Sequence, residues 1–118
     1  MANFAFVYRN RPETFARLSP EDMQKQMQKW QAWIAEGIQK GWMVNPGDAL
    51  TKEGRLVDSK KLVADGPFVE SKEVVGGFSI IDAVDIDAAA EIAKSCPALV
   101  IGGTVEVRPL AGYIPLKR

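Results

Sequence analysis

The chain has 118 residues, enough for one domain spanning 1–118 that buries about two-thirds of the surface its unfolded form would expose. Fifteen Lys and Arg balance fifteen Asp and Glu, which removes the basic stripe that a phosphate-neutralising nucleic-acid binder needs. With no histidine and one cysteine, imidazole acid–base chemistry, Cys/His zinc sites and an internal disulfide framework are excluded.

The N-terminus shows no basic segment leading into a long apolar core, and no apolar run approaches the ~20 residues of a membrane span. The expectation is a cytoplasmic protein. Residues Asn3 to Tyr8 form a short run rich in aromatic and apolar side chains, which predicts a strand with both faces covered. Arg9 to Arg17 is polar, contains Pro12 and reads as a connection.

Ser19-Pro20-Glu21-Asp22 opens a helix. Ser19 can cap free N–H groups, Pro20 suits the first helical position, and the two acids favour the positive end of the dipole. Met23, Met27, Trp30, Ile34 and Ile38 fall on one predicted stripe, with Trp30 in the core and Trp33 at the rim of an interface or loop. Lys40 and Gly41 end the helix. From Trp42 to Val75 the chain alternates turn chemistry, Asn45-Pro46-Gly47-Asp48 and Lys52-Glu53-Gly54-Arg55, with the short apolar pieces Leu56-Val57 and Leu62-Val63. One or two short hairpin strands are predicted there. A connection of this length in a small domain points to a function.

Gly76 to Ala83 returns to strand character. Asp85 or Asp87 then caps a helix over Ala88–Cys96, which Pro97 stops. Cys96 reads as a small buried hydrophobe. The last strand, Gly103–Leu110, turns Val105 and Val107 to one face and Thr104, Glu106 and Arg108 to the other. The tail from Ala111 is an arm. This order predicts an α+β fold: a ferredoxin-like βαββαβ sheet with two helices on one face. Because Phe4–Tyr8 and Phe78–Ile81 carry apolar side chains on both faces, the face without helices calls for a partner, and a homodimer through the sheet face is the simplest.

The run Asp65-Gly66-Pro67-Phe68-Val69-Glu70-Ser71-Lys72-Glu73, followed by Gly76-Gly77-Phe78, resembles the DGPF branch of the YCII-related domain family. Val105-Glu106-Val107-Arg108-Pro109-Leu110 resembles the same branch near the other end of the chain. The resemblance implies a dimeric α+β barrel of largely unknown function, with some relatives associated with extracytoplasmic-function sigma factors. YCII-like relatives carry a His-Asp pair suggestive of acid–base chemistry. The His half of that inference is void here.

Each candidate residue has two readings. Asp65 is turn chemistry before Gly66-Pro67, or a carboxylate projecting into a cleft as catalytic base. Glu70 belongs to a solvated charged run, or joins Asp65 in the site. The Asp65–Glu70 spacing matches no established metal loop, so no metal is expected. Gly76-Gly77 marks close approach of the strand backbone to another segment or ligand. Glu106 and Arg108 are a charged strand face, or Arg108 anchors the carboxylate or phosphate of a small molecule. The predicted pocket is Asp65 as catalytic residue with Glu70, Ser79 and Arg108 binding substrate, walled by Phe68 and Phe78. No dinucleotide fingerprint or Walker loop is present, so no organic cofactor is expected. Two functions remain open. One is proton transfer, hydrolysis or lyase chemistry on a small molecule held between the sheets. The other is a non-catalytic dimeric regulatory or protein-interaction module linked to a sigma factor, with 46–75 as its contact surface.

Overall fold

In a computed structural model, residues 2–65 and 74–116 are described. The chain runs β1 (Ala2–Asn10), α1 (Pro12–Arg17), α2 (Pro20–Lys40), β2 (Met43–Asn45), β3 (Arg55–Val57), β4 (Val63–Asp65), β5 (Val74–Ala83), α3 (Ile86–Ala93), a 3-10 turn (Pro97–Ile101) and β6 (Thr104–Pro109). The architecture is α+β. Four strands form an antiparallel sheet in the order β2-β5-β1-β6, and β3 and β4 form a separate two-stranded ribbon.

The termini of the long helix follow from local chemistry. Ser19 Oγ accepts from Asp22 N at 3.0 Å, Pro20 occupies the first position, and Gly41 closes α2 at φ 87°, a conformation that costs glycine little. For α3 the cap is Asp85, not Asp87: its Oδ1 accepts from Ala88 N at 2.8 Å, so the helix starts at Ile86. It ends at Ala93, and Cys96-Pro97 begins the 3-10 turn instead of closing the helix.

Period-two alternation decides the sheet. On β1, Phe4, Phe6 and Tyr8 are buried, and Ile81 and Ala83 of β5 share their face. Met43 from β2, Trp33 from α2, Ala89 and Ala93 from α3, and Cys96 and Ala98 complete this core. Both long helices therefore pack on one face. Aromatic rings dominate the layer: Phe6 stacks on Trp33 at 6.4 Å between centroids, Tyr8 meets Trp30 edge-on at 4.8 Å, and Trp42 tilts against Trp33 at 5.1 Å.

Two expectations for the helical layer are corrected. Pro12–Arg17 forms the short helix α1, because Pro12 at its start pre-sets helical φ and marks an N-terminus, not a break. The buried side of α2 is Gln26, Trp33 and Gly37 with Trp30 half-buried, whereas Met27 and Ile38 are 57% and 58% exposed. Of the predicted stripe, Trp30 and Ile34 pack against the core while Met27 and Ile38 do not, and Trp33, expected at a rim, is the residue of α2 buried deepest among the aromatic side chains. Gln26 is tolerated inside because its amide donates to Pro97 O at 2.8 Å, and Gly37 because a Cβ there would meet the Trp42 ring at 2.7 Å.

Candidate functional site

The register of β1 with its two neighbours arranges the other face of the sheet in rows. One row runs Ile80, Ala5, Arg108; the next runs Phe78, Val7, Glu106; Arg9 and Thr104 follow. The β5 side of this face is apolar at Phe78 and Ile80, with the buried Asp82 beyond them beside Asn3, and the β6 side is charged. Phe78 is 43% exposed, and Ala5, Val7 and Ile80 are only half-buried, so this face lacks the closure that the helices give its reverse.

At the charged side, Glu106 lies between two guanidinium groups. Arg9 Nε donates to Glu106 Oε1 at 3.1 Å, and Arg108 Nη1 donates to Oε2 at 3.1 Å. The hydrogen bond from Arg108, then that from Arg9, holds the Glu106 carboxyl below its ordinary value of 4.5. Two arginines against one carboxylate leave a net positive charge, and Arg108, the more exposed of the two, keeps further N–H donors for an anion. Sequence patterning assigns Arg9 to a connection. The strand instead continues through Arg9 to Asn10, and the signal for it is the odd-position series Ala5, Val7, Arg9.

Phe78 and Arg108 thus share the open face, two strands apart. Ser79 points the other way, opposite Phe6 in the core. Its Oγ accepts from the Tyr8 hydroxyl at 2.8 Å and donates to Pro46 O at 2.7 Å, which ties the segment after β2 to the sheet. Burial pushes the Tyr8 phenol pKa up against the opposing effect of that hydrogen bond, so the phenol is a donor at physiological pH. Cys96 is buried as expected, and burial raises its thiol to about 12.

Asp65 ends β4, exposed and paired with Arg55 across the ribbon at 3.2 Å. Phe68 and Glu70 lie outside the described residues. Within one chain, then, Asp65 sits on the ribbon, Phe78 and Arg108 on the open sheet face, and Ser79 on the helical face. Gly76 and Gly77 serve close packing. Gly76 is the extra residue of a bulge opposite Tyr8-Arg9, and a Cβ on Gly77 would lie 2.9 Å from Asp48 O, where Ala49 bridges to β5. A hollow of about 330 Å³ lies on the helical side, between Lys29, Trp33, Glu36, Ser95 and Val100. Its central donors are already used: Trp33 Nε1 donates to Ser95 Oγ at 2.9 Å, and Ser95 Oγ to Ile92 O at 2.7 Å. The open sheet face has the better chemistry. Among the described residues, no group of His, Cys, Asp or Glu could hold a metal ion, and no helix is long and apolar enough to cross a membrane.

Residues 10–112 match the model of the YCII-related domain. The chain belongs to the YCII-related domain family. That match spans both the ribbon and the charged edge of this YCII-related domain, including Arg55, Asp65, Glu106 and Arg108. No curated protein matches the chain.

Proposed function

We propose that this YCII-related domain, of the DGPF branch, is a small cytoplasmic homodimer that holds a small molecule in a cavity between two facing sheets. The order of the main sheet (second, third, first, fourth strand in chain order) and the helices on one face support a ferredoxin-like βαββαβ reading. The observation that carries the function is the amphipathic open face, with Ala5, Val7, Phe78 and Ile80 beside Arg9, Glu106 and Arg108. Such a face fits a ligand with an apolar body and an anionic group. Phe78 walls the body, and Arg108 anchors the carboxylate or phosphate.

With no histidine, proton transfer in the cavity falls to carboxylates, and Asp65 is the candidate base, accompanied by Glu70 and Phe68 from the segment that follows it. Ser79 acts indirectly, by fixing the Pro46 segment through its buried hydrogen bonds. The test combines light scattering with a thermal-shift screen of small carboxylates and phosphates. A dimer at micromolar concentration, with a stabilising anion whose effect disappears in Arg108→Ala, is the expected result. A monomer, or anion shifts unchanged by Arg108→Ala, would overturn the reading.

A second reading draws on the exposed aliphatic residues of the β3–β4 ribbon: a non-catalytic dimeric regulatory or protein-interaction module, linked to a sigma factor. Stabilisation by no small molecule, with specific binding of a purified protein that ribbon substitutions abolish, would favour it.

A further inference from the structure

The β3–β4 ribbon poses a physical problem. An isolated two-stranded ribbon is marginal in water and needs a third surface to bury its side chains. Here every residue of Arg55–Val57 and Val63–Asp65 is exposed, and Leu56, Val57, Leu62 and Val63 are 53%, 61%, 64% and 64% exposed. The ribbon is nevertheless well formed, because its turn is built from local hydrogen bonds. Asp58 Oδ1 accepts from Lys60 N and Leu62 N at 2.9 Å each. The Asp58 carbonyl accepts from Lys61 N at 3.0 Å, and Asp58 N donates to Leu62 O at 3.0 Å. Lys61 takes the left-handed conformation (φ 66°) that this turn demands, where glycine is the easier residue. The turn therefore holds an apolar surface in shape before anything covers it, which lowers the ordering cost of docking.

One side of the ribbon has a definite pattern. Val57 pairs with Val63, and two residues further Arg55 pairs with Asp65, so an aliphatic pair stands ~6.6 Å from an ion pair on the same side. The open sheet face has the matching pattern: Phe78 and Ile80 at one side, then Ala5 and Val7, then Glu106 and Arg108, two strand spacings or ~9.6 Å away. Laid across the strands, the ribbon sets aliphatic against aromatic and charge against charge. Every copy of the chain carries both this ribbon and this sheet face, so a second copy supplies both halves of the match, with Asp65 of one brought to the two guanidinium groups of the other.

We propose that the β3–β4 ribbon is an exchanged arm. In the homodimer each copy lays Val57 and Val63 over Phe78 and Ile80 of a second copy and brings Asp65 to the Arg9–Glu106–Arg108 cluster of that copy. This rests on the homodimer reading above and deepens it. The site is then shared, with the carboxylate at 65 coming from one copy and the Arg108 anchor from the other, which unites residues that a single chain keeps in two places.

The test uses the full chain, with one thiol per copy for the cross-link and a doubly substituted chain as its intramolecular control. Cys96 is buried, so engineered thiols dominate the chemistry. Val63→Cys and Phe78→Cys proteins, co-refolded as a mixture and mildly oxidised, should give a covalent dimer that neither protein gives alone. Independently, Asp65→Lys should weaken the dimer about tenfold, since two-fold symmetry loses the contact twice, and adding Arg108→Glu to the same chain should restore most of it. Light scattering reads both. A dimer that forms neither the disulfide nor the charge-swap rescue overturns the arm and leaves the homodimer standing. A disulfide only within doubly substituted single chains shows the ribbon on its own body and also overturns it. A monomeric wild-type protein overturns both proposals, and so does a wild-type chain that stays monomeric while its ribbon binds a different purified protein.

Discussion

The two faces of the main sheet are made by the same four strands and yet have opposite characters. On one, Phe4, Phe6, Tyr8 and Ile81 meet Trp33 and the small residues Ala89 and Ala93, and polar groups are paired inside the layer: Tyr8 with Ser79, Trp33 with Ser95, Gln26 with Pro97. On the other, the side chains divide into an apolar side and an Arg–Glu–Arg side, and Phe78 stays substantially exposed. The first face spends its chemistry on packing. The second keeps cationic donors and an aromatic wall at the surface, where a ligand can reach them.

The largest test of this contrast is truncation on each face. Trp33→Ala should cost about 3–5 kcal/mol in urea unfolding, since it removes a buried ring packed on Phe6 and Trp42 and a partner of Ser95. Phe78→Ala should cost about 1 kcal/mol or less at protein concentrations where the chain is monomeric. Equal costs would erase the distinction between the faces. Next comes Ser79→Ala, which strips the Tyr8 hydroxyl and the Pro46 carbonyl of their partner together. A loss of about 1–3 kcal/mol in the same assay is expected, and a near-neutral result would make the Pro46 tether dispensable.

The smallest effect is electrostatic. The pKa of Glu106 is depressed, so its contribution to stability is present above the ordinary value of 4.5 and is lost as pH falls through the lower folded value. Carboxyl titration by NMR should place Glu106 below 4.5 in the wild type and move it upward in Arg108→Ala, with high salt narrowing the difference. No movement in that variant would remove Arg108 from the cluster.

Legibility in the sequence follows locality. Ser19, Pro20 and Gly41 mark α2 because capping and left-handed closure involve neighbours a few residues away, and the alternation of Val105 and Val107 with Glu106 and Arg108 assigns the faces of β6 for the same reason. Where a local signal is ambiguous, the sequence reading differs from the fold by a few residues or by an angle. Pro12 reads as part of a connection and is a helix start; Trp33 reads as a rim residue of α2, and its contacts with Phe6 and Trp42 place it in the core.

The site is harder to read because its members meet only through strand pairing. Arg9 and Glu106 are 97 residues apart and become neighbours because β6 lies beside β1, a pairing no short window contains. Ser79 and Phe78 are adjacent in sequence, but pleating sends them to opposite faces, one into the core and one to the surface. The missing histidine by itself removes imidazole chemistry, because composition limits which groups exist. Which of those groups stand together was decided by the register of β1 between β5 and β6, because hydrogen bonding between distant strands sets neighbours that sequence order does not.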